Sequence, residues 1–139
     1  MAKRIQPVQQ GETTYRSGFE AQIAEHLQEH KVKFKYEEDI ITYIEPAKTR
    51  KYVADFSLPN NIIIEAKGRF TVHDRKKMIL VMEQNPKLDI RMLFQRDQKL
   101  NKGAKTKYSE WCEKRGIKYA IGEIPQEWLD EKPKRRKTK

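Results

Sequence analysis

ADFSLPNNIIIEAKG, residues 54–68, sets strand-forming residues on both sides of Pro59-Asn60-Asn61, a run of turn chemistry. The spacing predicts a hairpin between KYVADFSL (51–58) and IIIEAK (62–67). Side chains alternate across a strand, so Ile62, Ile64 and Ala66 face one way while Ile63, Glu65 and Lys67 face the other. A three-residue loop pairs Leu58 with Ile62 and sets Asp55 opposite Glu65. A two-residue loop slips the register by one and spoils that opposition.

Working outward, DRKKMILVMEQ (74–84) predicts a helix stopped by Asn85-Pro86, followed by the strand LDIRMLFQ (88–95). YSEWCEKRG (108–116) predicts a helix with Gly116 at its C-cap, then a short strand IKYA and a helical turn PQEWLD. On the other side, SGFEAQIAEHLQEHK predicts an amphipathic helix, because Phe19, Ile23 and Leu27 recur every fourth residue. VKFKY (32–36) and DIITYI (39–44) predict strands, the second interrupted by Pro46. Residues 1 to about 15 carry no sustained pattern and read as a flexible basic arm, residues 16–130 as the folded domain, and 131–139 as a basic tail. Strands bracketed by helices around an antiparallel hairpin predict an α/β protein with a mixed central sheet and flanking helices.

The chain of 139 residues, 37% hydrophobic, suits one domain with a modest core, or a protomer that shares its core with a partner. No apolar run is long enough to span a bilayer, and MAKRIQPVQQ has no apolar stretch behind its charges, so a soluble, intracellular protein with no membrane partner is expected. The single Cys112 excludes an intrachain disulfide and a cysteine-rich zinc site, and reads as a small buried hydrophobe. The formal charge of +10 is uneven. KPKRRKTK (132–139) holds six basic residues and no acidic ones, and RDQKLNKGAKTK (96–107) holds five basic residues against Asp97. Both segments suit a polyanion such as nucleic acid, and both are equally compatible with a solvated surface.

The sheet face that carries Glu65 and Lys67 admits two readings. An ion-pair ladder of Asp55, Lys67 and Glu65 would be unremarkable on a solvent-facing side. Two carboxylates brought close together also make an oxygen-only site for Mg²⁺ or Mn²⁺, with Lys67 as a neighbouring positive charge; this is the equipment of phosphodiester hydrolysis. Glu20 likewise has two readings. Ser17-Gly18-Phe19-Glu20 has the spacing of a helix capping box, which would occupy the glutamate at a backbone amide.

AD (54, 55) followed by EAK (65–67) resembles the PD-(D/E)xK motif of the restriction-enzyme-like nucleases. With YRSGFE (15–20), DRKK (74–77), NPKLDIR (85–91) and CEKRGIKYA (112–120), the chain from about Tyr15 to Trp128 resembles the phage endonuclease I family of T7-type Holliday junction resolvases. That resemblance implies a restriction-endonuclease-like core and catalytic residues Glu20, Asp55, Glu65 and Lys67. Asp55, Glu65 and Glu20 would bind metal, two Mg²⁺ ions per site with Mn²⁺ able to substitute. The proline that precedes the aspartate in the family is Ala54 here, a departure that bears on strand-end rigidity.

The resemblance further implies an intertwined, domain-swapped homodimer, with a bridging strand at about 44–51 and with Glu20 contributed by one chain and Asp55, Glu65 and Lys67 by the other. Its substrate would be branched DNA, especially four-way junctions, cut by paired symmetric nicks in the host cytoplasm, with no small-molecule substrate. Arg69, Arg75, Lys76, Lys77, Lys99, Lys102, Lys105 and Lys107 are the candidate phosphate contacts, together with the arm and tail. A site- or mismatch-specific nickase and a non-catalytic DNA-binding module are the competing readings. His26 and His30 lie four apart with no evident third ligand and read as surface residues. His73 lies near the basic stretch, and Trp111, Trp128, Tyr108 and Tyr119 read as core anchors.

Overall fold

A computed structural model describes residues 8–10, 13–45 and 48–133, the side chains of 8–10 excepted. Most of the expected arm and tail, and Pro46-Ala47, lie outside the described residues. The elements in order are β1 (Val8–Gln10), β2 (Thr13–Tyr15), α1 (Gly18–Glu29), β3 (Lys35–Tyr36), β4 (Ile40–Glu45), β5 (Lys48–Val53), β6 (Phe56–Ser57), β7 (Ile62–Lys67), α2 (Val72–Gln84), β8 (Asp89–Phe94), α3 (Tyr108–Lys114), β9 (Tyr119–Ile121) and α4 (Gln126–Asp130). A five-stranded sheet runs β3-β6-β7-β8-β9, antiparallel through β7 and parallel from β7 to β9. This is the mixed α/β architecture expected. Within the stretch read as lacking a pattern, β1 and β2 pair antiparallel, and Tyr15 is buried against α1.

The pivotal hairpin has the three-residue register. Phe56 pairs with Ile64 and Ser57 with Ile63, and the Leu58 amide donates to the Ile62 carbonyl. Ile62 and Ile64 pack with Leu93 and Ala120 against α1 and α4, while Ile63 packs with Ile90, Met92 and Phe94 against α2 and α3. Each face of the sheet therefore has its own apolar cluster, and alternation along β7 assigns Glu65 and Lys67 to the α2 side. Trp111, Trp128 and Tyr108 are buried in these clusters, as is Cys112, whose thiol burial pushes up to about 12. Among the described residues no helix is long and apolar enough to cross a membrane.

Two predicted strands differ from the observed ones for local reasons. VKFKY contributes only Lys35–Tyr36, because the Val32 amide is spent on the Leu27 carbonyl and Lys31, at φ 55°, closes α1 in a Schellman turn. The same closure ends α3, with Gly116 at φ 67° and the Ile117 amide on the Cys112 carbonyl. KYVADFSL is broken at Ala54-Asp55: β5 pairs with β4, whereas β6 pairs with β3 and β7. The region around 44–51 lies in a two-stranded ribbon within this chain, with Ile44 opposite Thr49 and Glu45 opposite Lys48.

Arg91, unremarked in the sequence, is fully buried on β8. Its guanidinium makes paired hydrogen bonds to Asp89 (2.9 and 2.8 Å) and to Glu131 (2.6 and 2.9 Å), and it lies 5.1 Å from the Trp128 ring. Asn60 adds bonds from its amide to the Trp128 and Glu131 carbonyls. The segment leading to the tail is thus fixed at the β6–β7 turn, the opposite end of β7 from Lys67.

Candidate active site

The break at Ala54-Asp55 is what makes the site. As the backbone leaves β4 for β7, the Asp55 carboxylate accepts the Ala66 amide at 2.9 Å, and the Asp55 carbonyl accepts the Glu37 amide at 3.1 Å. Glu65 follows on β7, its Oε1 accepting the Tyr52 hydroxyl at 2.7 Å and its Oε2 lying 3.2 Å from Lys67 Nζ. The ammonium also lies 3.4 Å from Asp74 Oδ1 in the first turn of α2. Glu20 enters from α1. Ser17 caps that helix by accepting the Glu20 amide, but the Glu20 carboxylate turns away and accepts the Tyr36 hydroxyl at 3.0 Å. Of the two roles considered for Glu20, its side chain is thereby available to the site.

Glu20, Asp55 and Glu37 each offer a carboxylate oxygen within 4.8 Å of the others. Glu20 (7% exposed), Asp55 (8%) and Glu65 (5%) are buried, which rules out the solvent-facing ladder as a description of this face. Burial, reinforced by Glu65 and Glu20, pushes Asp55 up to about 9 despite the Ala66 amide and Lys67. Burial also raises Glu20, with Glu37 adding to the effect and Tyr36 opposing it. For Lys67, burial disfavours the charged form, but Glu65, Asp74 and Asp55 outweigh it and hold the ammonium above its ordinary value. Burial likewise works against Asp74, yet the Thr71 amide and Lys67 hold it below the usual carboxylate range. Burial and Glu65 keep the Tyr52 hydroxyl protonated, as the bond it donates requires.

This donor set fits a hard divalent cation. All the candidate ligands are carboxylate oxygens, the resident ammonium leaves Asp55 strongly shifted, and Glu37 Oε1 is a buried oxygen with no hydrogen bond among the described residues, 3.6 Å from Arg16 Nη1. Glu20 and Asp55, which the resemblance draws from different chains, meet here within one chain.

Four participants escaped the sequence reading. Tyr36 and Tyr52 looked like ordinary strand aromatics. Glu37 gives no sequence signal and sits at φ 51° in the left-handed region. For Asp74 the sequence does hold a signal, since Thr71-Val72-His73-Asp74 has the spacing of a capping box, and both of its bonds are present.

The candidate phosphate contacts divide. Arg69, Lys76, Lys99, Lys102, Lys105 and Lys107 are exposed, as is His73. Lys77 is half-buried, with its ammonium 5.4 Å from the Tyr52 ring centre. Arg75 is not a surface residue: it is 9% exposed and donates to the Phe70 carbonyl at 2.7 Å, because the turn into α2 leaves that carbonyl without a ladder partner. The lysine-rich segment departs beside the carboxylates, since the Gln95 amide donates to the Lys67 carbonyl. Its ends are drawn together by the Lys99–Lys107 bridge and by Asp97, which accepts the Ser109 amide and hydroxyl. Away from the site, His26 lies 3.4 Å from Glu123, and its ring centre is 4.4 Å from that of His30.

The model of the family described as phage endonuclease I matches residues 1–138. Endonuclease I of Escherichia phage T7 is 46% identical over 121 residues, covering 86% of this chain and 81% of the relative. Endodeoxyribonuclease 1 of Enterobacteria phage T3 is 46% identical over 112 residues, covering 80% and 74% respectively.

Proposed function

The chain belongs to the phage endonuclease I family, and from that premise we propose that it is a metal-dependent endodeoxyribonuclease that resolves four-way and other branched DNA junctions by paired nicks. The observation that carries the chemistry is the meeting of carboxylate oxygens of Glu20, Glu37 and Asp55 within 4.8 Å of one another, beside the buried Glu65, which acts on Asp55 and lies 3.2 Å from the Lys67 ammonium at the carboxyl end of β7.

Asp55 and Glu65 would hold a Mg²⁺ or Mn²⁺ ion, and Glu20 a second ion or its water. Bound there, the cation supplies positive charge to the scissile phosphate and to the attacking water. The chain's own groups do the rest. The Ala66 amide fixes one oxygen of Asp55, and the Tyr52 hydroxyl fixes one of Glu65, whose other oxygen faces Lys67 Nζ at 3.2 Å, where a cation would compete with the ammonium. Lys67 stays protonated and stabilises negative charge that develops on the phosphate oxygens. Tyr36 orients Glu20 toward Asp55.

Arg69, Lys76, Lys77 and the lysines at 99, 102, 105 and 107 would contact backbone phosphates, which position a junction without reading its sequence. A homodimer with exchanged segments suits a two-fold junction. Ile40, Ile44 and Val53 leave an exposed apolar strip on the β4–β5 ribbon, which supports such an association.

The test compares an immobile four-way junction with a linear duplex of the same arm sequence, in Mg²⁺ at fixed salt. Preferential, paired cutting of the junction is expected, with cleavage abolished and junction binding in Ca²⁺ retained in Asp55→Asn and Glu65→Gln. Equal cutting of the linear duplex removes junction selectivity, and unimpaired cleavage by both variants removes the catalytic assignment.

A further inference from the structure

The contacts of Lys67 point to a second residue on which its placement depends. A lysine ammonium at the end of a flexible four-carbon stem has many rotamers, and one neighbour does not select among them. Here Nζ is bracketed, 3.2 Å from Glu65 Oε2 and 3.4 Å from Asp74 Oδ1. If Glu65 is drawn toward a cation, its hold on the ammonium weakens, and Asp74 remains.

Asp74 is itself fixed. Its Oδ2 accepts the Thr71 amide at 3.0 Å, and its own amide donates to Thr71 Oγ1 at 3.1 Å. The carboxylate therefore belongs to the rigid first turn of α2, and that helix is anchored in the core through Met78 and Val81. One oxygen serves the helix and the other faces the lysine.

We propose that Asp74 is a positioning residue that aims the Lys67 ammonium at the reacting phosphate, its carboxylate held in place by the Thr71 backbone amide on its other oxygen. This rests on the nuclease reading above. It assigns to Asp74 no contact with substrate and no share in holding metal.

The test uses single-turnover and steady-state cleavage of a four-way junction in Mg²⁺ by the full-length protein and four variants. Asp74→Asn keeps the size of the side chain and an oxygen for the Thr71 amide but removes the charge that faces Lys67. Thr71→Ala removes the other half of the box and leaves the charge. Asp74→Asn is expected to lower kcat by about 10- to 100-fold, the usual effect of removing a partner that orients a working side chain, with KM and junction affinity in Ca²⁺ unchanged. Asp74→Glu, which restores the charge, is expected to recover part of the loss. Thr71→Ala is expected to lower the melting temperature while leaving kcat within a few-fold.

Unchanged kcat in Asp74→Asn overturns the proposal. So does a loss matched by Thr71→Ala, which would reduce Asp74 to a helix cap. Lys67→Ala separates this from the underlying reading: if it cleaves normally, the nuclease assignment of Lys67 fails, whereas an inactive Lys67→Ala beside a fully active Asp74→Asn fails the positioning role alone.

Discussion

A carboxylic acid held protonated to about 9 beside two other carboxylates ties the stability of the fold to pH at one residue, Asp55. In an unfolded chain an aspartate titrates near 4, roughly its ordinary value. Between that value and 9 the folded chain keeps a proton that the unfolded chain has released, so the contribution of Asp55 is full below about pH 4 and declines as pH rises toward 9, by at most about 1.4 kcal/mol per pH unit. In EDTA the melting temperature should therefore fall from pH 5 to pH 9, and Asp55→Asn should flatten the decline. Adding Ca²⁺ should do the same, by replacing the proton with a cation. A melting temperature that rises with pH in EDTA, or a decline indifferent to both changes, contradicts this assignment. Tyr52 offers a second test at the same scale. Tyr52→Phe deletes the hydroxyl that Glu65 accepts while preserving the ring, and leaves a buried carboxylate short of a donor, at a cost of about 1–3 kcal/mol. Urea denaturation measures that cost directly, and an unchanged midpoint would mean that water takes the place of the hydroxyl.

Between elements, the clamp formed by Arg91, Asp89 and Glu131 ties β8 to the chain after α4. Glu131→Ala should leave a buried guanidinium half-paired. Breaking such a pair costs about 3–5 kcal/mol, and because Glu131 is partly exposed and Asp89 remains, a loss of about 1–3 kcal/mol is expected. It should show as a lower urea midpoint with the same slope and an unaltered cleavage rate, since the clamp lies at the far end of β7 from Lys67; a slower rate would mean that strain travels along the strand. No sequence rule would have flagged Arg91, because a lone arginine in the run DIRML reads as a surface position paired at most with Asp89, and its second partner lies 40 residues away. The hairpin, by contrast, was legible in Pro59-Asn60-Asn61, and of the two registers those residues leave open the Leu58 amide on the Ile62 carbonyl selects the three-residue one. The bend at Ala54-Asp55 was not, since β-prone residues run straight through it and the change of partner from β4 to β7 is a tertiary event. For the site this means that Asp55, Glu65 and Lys67 stand out as candidates from spacing and resemblance. Their neighbours and that of Glu20 meet them only through folding: Tyr36 at Glu20, Tyr52 at Glu65 and Asp74 at Lys67.

For the whole molecule the open question of architecture is which chain completes each site. The single chain brings Glu20 to Asp55 through the β4–β5 ribbon, and the two strands of that ribbon are joined by residues 46 and 47. If two chains exchange everything before that joint, every pair in the ribbon can re-form between partners, and the exposed strip of Ile40, Ile44 and Val53 lies on the element that would link them. The two arrangements place the same side chains around each site but differ in their covalent origin, so activity of the wild-type protein cannot separate them. A mixture can. Glu20→Ala and Lys67→Ala are each expected to be inactive. In an exchanged heterodimer of these two chains, one site combines both lesions and the other combines intact Glu20 from one chain with intact Asp55, Glu65 and Lys67 from the other. Refolding equal amounts of the two variants together should then restore nicking of one strand at a junction, with about a quarter of all sites working because half of the randomly paired dimers are mixed and each has one intact site, whereas chains that complete their own sites would each carry one lesion per site and stay inactive. Light scattering on the same mixture establishes whether a dimer is present. A dimer without restored nicking would place Glu20 and Asp55 of each working site on one chain, as in the fold described above.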